Sequence, residues 1–253
     1  METNPLRYIV YGVGAIGGVV AAALQKGGQK VAGIARGERL AALSDHGLTL
    51  RSPSGTTQVD FPCAGSVPEL GLGAQDVVLL AMKGQDTAGA LLDLRTAGLE
   101  DQPVFCVQNG VANESQALRL FPNVHGVNVM LPAEYLTARE TIAWASPNWG
   151  CFDIGRFPSG KDAHDDMLAK VLTAGGIASQ AVPDVMDYKY GKLLMNLSNI
   201  VEAALGRGVE DGGLRQILRE EGERVLRHVG IAWRDVGASD PRRASMKQGE
   251  VDG

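Results

Sequence analysis

Three glycines, Gly12, Gly14 and Gly17, separate a short apolar run, Tyr8 to Tyr11, from an alanine-rich stretch, Ala15 to Lys26. A chain with this order passes sharply from strand into helix: Gly12 permits the tight turn, and Gly17 lets the helix pack closely on the strand. Gly14 lets the backbone approach a ligand. The helix that follows presents free N–H groups and the positive end of its dipole at the same place. Gly12, Val13, Gly14, Ala15, Ile16 and Gly17 therefore form a candidate site for the pyrophosphate of a dinucleotide.

Strand-like apolar runs alternate with helical stretches through the first half of the 253 residues. Lys30 to Ala35, a helix from about Glu38 to Asp45, a hairpin over Leu48 to Val59 turning at Pro53-Ser-Gly55, then Asp76 to Ala81 and Val104 to Val107 predict a parallel sheet with helical crossovers. Val124 to Ile154 reads as further strands at the far side of that sheet. From about Asp184 strands give way to helical periodicity, over Tyr188 to Leu205 and Leu214 to Val229, the latter stopped by Gly230. The expected division is an α/β N-terminal domain over 1–183 and an all-α C-terminal domain over 184–253.

The net charge of −5 predicts no general attraction to nucleic acid or anionic lipid. No apolar run approaches the ~18 residues of a membrane span, and no signal-peptide pattern opens the chain. A cytoplasmic protein, off the membrane, is the default expectation. Cys63, Cys106 and Cys151 lie far apart with no CxxC pair, which suggests neither a metal site nor a disulfide framework. They read as buried small residues of a reduced compartment.

The second strand-like run ends in Arg36, where NAD enzymes place an acidic residue for the ribose 2′-hydroxyl. An arginine there suits a 2′-phosphate instead, which favours NADP(H); Glu38 complicates this, although Arg39 beside it keeps the local balance positive. The next run ends in Met82-Lys83-Gly84-Gln85, and the one after it in Gln108-Asn109-Gly110. Both endings fall at the ligand edge of a parallel sheet.

In the second half, Lys192, Asn196 and Asn199 recur at i, i+4 and i+7 and so share one helix face, while Leu193, Leu194, Met195, Leu197, Ile200 and Val201 make most other sides apolar. A lysine in such surroundings is a candidate general acid, its pKa lowered by burial.

Together, Gly-x-Gly-Ala-Ile-Gly-Gly, Met82-Lys83 with Gln85, Gln108-Asn109-Gly110 and Lys-Leu-Leu-x-Asn on the helix resemble the ketopantoate reductase (2-dehydropantoate 2-reductase) family over nearly the whole chain. The resemblance implies a Rossmann-type N-terminal domain followed by an all-α one, and NADPH-dependent reduction of a 2-keto acid to a 2-hydroxy acid, in pantothenate synthesis for the type enzyme. It makes Lys192 the catalytic acid, Asn196 a substrate ligand, and Asn109 a contact to cofactor or substrate; Asn199, on the same face, is a further candidate substrate ligand. Arg36, Lys83 and Gln85 fall in the cofactor region. It leaves room for a homodimer.

Two departures bear on the substrate. The family's second asparagine lies eight residues after the lysine, where this chain has Ile200, and Asn199 falls one position early. Ser245-Met-Lys-Gln248 and Glu250-Val-Asp252 match a C-terminal pattern that makes Ser245 a substrate ligand and Glu250 a second catalytic group. Only four residues separate Ser245 from Glu250, which predicts a natural chain with a longer loop after Gln248 and further residues beyond Gly253. A reductase of a different branched 2-keto acid and a catalytically weak NADP(H)-binding redox sensor are the competing expectations.

Overall fold

The computed structural model describes residues 6–206, 208–237 and 240–251. The chain runs through β1 (Arg7–Tyr11), α1 (Ala15–Lys26), β2 (Lys30–Ile34), α2 (Gly37–His46), β3 (Leu48–Ser52), β4 (Gly55–Val59), β5 (Cys63–Ala64), α3 (Val67–Leu70), β6 (Asp76–Leu80), α4 (Thr87–Thr96), β7 (Val104–Cys106) and α5 (Asn113–Leu118). It continues through β8 (Val124–Met130), β9 (Ala133–Tyr135), β10 (Glu140–Ala143), β11 (Ala145–Pro147), β12 (Gly150–Arg156), α6 (Ala163–Gly175), β13 (Ile177–Ala181), α7 (Val185–Asn196), α8 (Ser198–Leu205), α9 (Leu214–His228) and β14 (Met246–Gln248).

Eight strands form one sheet in the order β13-β12-β8-β7-β6-β1-β2-β5. Every neighbouring pair is parallel except β8 and β12. Helices cover both faces, so the central strands are apolar on both sides, as in Asp76-Val-Val-Leu-Leu80, where every residue is buried. Alternate side chains feed two cores. Val10, Leu79 and Phe105 pack with α1 and α6, whereas Ile9, Tyr11, Val78, Leu80 and Cys106 pack with α4 and Phe121. Burying both layers fixes β1 between β2 and β6, and the order of strands reverses there. Sheets of this kind bind ligands in the crevice at that reversal, outside the carboxyl ends of the strands. The fold is α/β, with a Rossmann-type N-terminal part and a helical C-terminal part.

The hairpin, the parallel crossovers and the stop of α9 at Gly230, with φ of 71°, match the expectations from sequence. Three details differ. Val124 to Ile154 does not stay in the main sheet: β9 and β10 join β3 and β4 in a separate sheet of order β4-β3-β10-β9. The helix expected over Tyr188 to Leu205 starts at Val185 and divides at Leu197 into α7 and α8. Strands do not end at Asp184, because β14 returns to pair antiparallel with β11. Among the described residues no helix is long and apolar enough to cross a membrane.

Candidate active site

The turn after β1 suits a bound pyrophosphate. Gly12 has φ of 97°, and a Cβ on it would lie 2.7 Å from the backbone nitrogen of Met82. A Cβ on Gly17 would lie 2.1 Å from the carbonyl oxygen of Gly12. Both glycines therefore serve the packing of turn and helix. Gly14 is different: nothing stands within 4 Å of its Cβ position, so the backbone there faces open space. No side chain caps α1 at Gly14, which leaves first-turn N–H groups to meet an anion. The turn itself is pinned by Gly12 N–H, which donates to the carbonyl of Ile34 at 3.0 Å.

Around this turn lies a cleft of about 470 Å³ lined by Gly12, Val13, Gly14, Ala15 and Ile16, by Arg36 and Arg39, and by Lys83, Asp86, Gln108 and Asn109. These residues lie in the loops and helix starts that follow the carboxyl ends of β1, β2, β6 and β7, as the sheet rule requires. Two expected residues stand apart. Gly17 is buried and does not line the cleft. Gln85 is exposed and does not line it either, because Gly84–Asp86 form a short 3-10 turn.

In the sequence Arg39 stands only as the positive charge beside Glu38. It is instead buried, one turn before the buried Leu43 on α2, and it donates to the carbonyl of Val13 at 2.9 Å, to Thr141 Oγ1 at 2.9 Å and to the carbonyl of Ala138 at 3.0 Å. The glycine turn is thus clamped to the second sheet. The i, i+4 spacing with Leu43 was the available signal.

A second cavity of about 520 Å³ adjoins the cleft, sharing Ile16, Asn109 and Val129 with it. Lys192 and Asn196 from α7 and Asn199 from α8 line it together, although the expected single helix divides between them at Leu197, and Arg243, Met246 and Gln248 close it from β14 and the turn before it. Burial, and then the repulsion of Arg243, push the Lys192 ammonium down to about 8, with Cys151 opposing. Among the described residues neither Lys192 nor the side-chain amides of Asn109, Asn196 and Asn199 have hydrogen-bond partners, which leaves donors of both kinds for a ligand.

Ser245 and Glu250 are not brought to this cavity. The Ser245 hydroxyl donates to the carbonyl of Arg242 at 2.6 Å and accepts from Asn148 Nδ2 at 2.8 Å. Pairing of β14 with β11 then carries the chain past the cavity until Gly249 meets Pro53 at the tip of the hairpin, and Glu250 is exposed beyond it. Asp252 lies outside the described residues.

Charged residues that the sequence reading missed hold α7 in place. Lys189, one turn before Lys192, is buried against Glu114 and donates to the carbonyls of Gln108 at 2.8 Å and Val127 at 3.1 Å. Only the tertiary encounter of α7 with α5 reveals this pair. His125, Asp162 and His164 bring ligand atoms within 4.8 Å of one another at the start of α6, where Asp162 already caps the helix and pairs with Arg156. The cysteines are free, and burial pushes the thiols of Cys63 and Cys151 up to about 11.

A family model for ketopantoate reductase PanE/ApbA matches residues 8–156, more than half of the chain. The chain belongs to the ketopantoate reductase family. It is 28% identical over 224 residues to the 2-dehydropantoate 2-reductase of Halobacterium salinarum, covering 87% of this chain and 71% of that one. With the 2-dehydropantoate 2-reductase of Pyrococcus horikoshii the identity is 23% over 192 residues, and the match covers 76% of this chain but only 61% of the relative. The chain thus spans about three-fifths of that relative. Among solved structures, a PanE/ApbA family ketopantoate reductase from Ralstonia eutropha superposes with a TM-score of 0.76 at 26% identity, covering 97% of this chain and 83% of that one. A complex of D-mandelate dehydrogenase with NADH and anilino(oxo)acetate has the same fold, with a TM-score of 0.76 at 19% identity, covering 94% of this chain and 82% of that one.

Proposed function

We propose that the protein uses NADPH to reduce a 2-keto acid to a 2-hydroxy acid, with 2-dehydropantoate (ketopantoate) the first candidate substrate. The observation that carries this reading is Lys192, an ammonium without a partner among the described residues, held at about 8 in a cavity that shares Asn109 and Ile16 with the cleft around the glycine turn. Lys192 would then donate a proton to the substrate's carbonyl oxygen and be left as the neutral amine, and its charge would steady the oxygen as negative charge develops there. A bound NADPH supplies the hydride for the keto carbon.

Residues 1–183 form the nucleotide-binding domain in this reading, with the Gly12 to Ile16 backbone at the pyrophosphate and Arg36 and Lys83 at the phosphates. Residues 184–253 supply the substrate side through Lys192, Asn196 and Asn199. A cytoplasmic setting goes with this chemistry, and a homodimer is compatible with it.

Asn199 lines the cavity while Ile200, where the family carries its second asparagine, is 63% exposed. That placement favours a second reading, a branched 2-keto acid other than ketopantoate. NADPH oxidation measured against a panel of 2-keto acids, ketopantoate included, tests both. Fastest turnover of ketopantoate supports the first, fastest turnover of another member supports the second, and no turnover of any member overturns the reductase reading.

A further inference from the structure

Two neighbouring arginines in the turn Pro241–Ser245 have opposite surroundings. Arg242 is engaged on all sides: it donates to Asp153 at 2.6 Å, to Asp240 at 2.6 Å and to the carbonyl of Phe152 at 2.9 Å. Arg243 has no carboxylate within ion-pair distance among the described residues, and its one protein acceptor is the carbonyl of Val236, at 3.5 Å. Its charge instead bears on Lys192, and both residues line the same cavity.

Two cations without counter-charges, facing one small cavity, repel each other more strongly than they would in water. The arrangement becomes favourable when an anion enters. Guanidinium is the cation suited to a planar carboxylate, because its fork of N–H groups meets both oxygens at once, whereas an ammonium acts as a point charge. In a 2-keto acid the carboxylate and the keto carbonyl are on adjacent carbons. A ligand that places its carbonyl oxygen at Lys192 therefore has its carboxylate only one bond away, and the cavity offers one cation for each.

We propose that Arg243 binds the carboxylate of the substrate and so selects 2-keto acids over neutral ketones. This rests on the reductase reading above. It assigns the polar amides of Asn196 and Asn199 to the remainder of the substrate, and it makes Arg243 a binding residue rather than a proton donor.

The test compares wild type with Arg243→Ala and Arg243→Lys, using the best 2-keto acid of the panel and its methyl ester, which lacks the charge. Arg243→Ala is expected to raise KM for the acid about 10- to 150-fold, as loss of a charge-assisted contact does, while changing KM for the ester less than threefold. Arg243→Lys should recover part of the loss. Unaltered NADPH binding, followed by nucleotide fluorescence, establishes that each variant is folded. Calorimetric titration of the NADP+-loaded protein with the 2-hydroxy acid product gives a readout independent of turnover. A KM for the acid within threefold of wild type, or equal losses for acid and ester, overturns the assignment. If the wild type binds the acids in the calorimeter without reducing them, the reductase reading fails and the assignment is decided by the calorimetric loss in Arg243→Ala. If it binds none of them, both fail.

Discussion

Lys189 and Glu114 form an ion pair inside the protein, Nζ to Oε1 at 2.7 Å, with side chains 2% and 0% exposed. The pair joins α7 to α5, and through Gln108 to the end of β7 that carries Asn109. It therefore sets the distance between the two elements that meet across the candidate site. Removing one partner strands a buried charge, which costs far more than the pair itself is worth. Lys189→Met and Glu114→Leu should each destabilise the protein by about 3–5 kcal/mol, and the double variant should recover most of that loss. Urea unfolding of the three variants measures it; additive losses would show that the two charges act independently.

Lys192 is expected to be the general acid. Lys192→Ala should lower turnover by about two to four powers of ten while NADPH still binds, since proton donation acts only along the reaction. Near-normal turnover of the variant would leave the lysine a cavity wall and nothing more.

The same residue predicts how activity and stability respond to pH. Its pKa falls from 10.5 to about 8 on folding, so between about 8 and 10.5 the unfolded chain binds more protons than the folded one. Stability from this group therefore rises with pH across that window. Reduction should decline as pH rises through about 8, because the ammonium is lost. Lys192→Met should melt higher than wild type at pH 7, and its advantage should shrink as pH climbs towards 10. Calorimetric melts at several pH values, with a parallel pH–rate profile, check both signs.

Arg36 stands at the end of β2 on the wall of the cleft, where a 2′-phosphate would meet it. Arg36→Ala should weaken NADPH binding by about 1.5–3 kcal/mol and leave NADH binding nearly unchanged. Fluorescence titration with both nucleotides measures the difference. Equal losses would assign Arg36 to the support of the turn.

The glycines separate fold from ligand. Gly17→Ala drives a methyl group into the carbonyl of Gly12 and should prevent normal folding, whereas Gly14→Ala meets no protein atom and should keep most of the stability. Its methyl group would stand where the pyrophosphate approaches, so NADPH affinity should fall at least about tenfold. Paired melting and binding measurements on Gly14→Ala decide the point.

What could be read from sequence follows from how local each cause is. The glycine turn was legible because positive φ and close packing exclude other residues, and the Lys192 face was legible because a helix fixes which side chains are neighbours. Lys189 and Arg243 were not, since each draws its meaning from groups far away in the chain: Glu114 for Lys189, Lys192 for Arg243. The placement of Glu250 failed for a related reason. A motif match carries no information about a strand pairing such as β14 with β11, and that pairing diverts the chain.

The return of β14 to β11 makes the helical region a loop closed at both ends. Residues 184–245 leave the main sheet after β13 and come back as a strand hydrogen-bonded beside Ser146. α7, with Lys192 on it, thus lies between two attachments of unlike chemistry, the backbone ladder of β14 on β11 and the buried charge pair of Lys189 with Glu114.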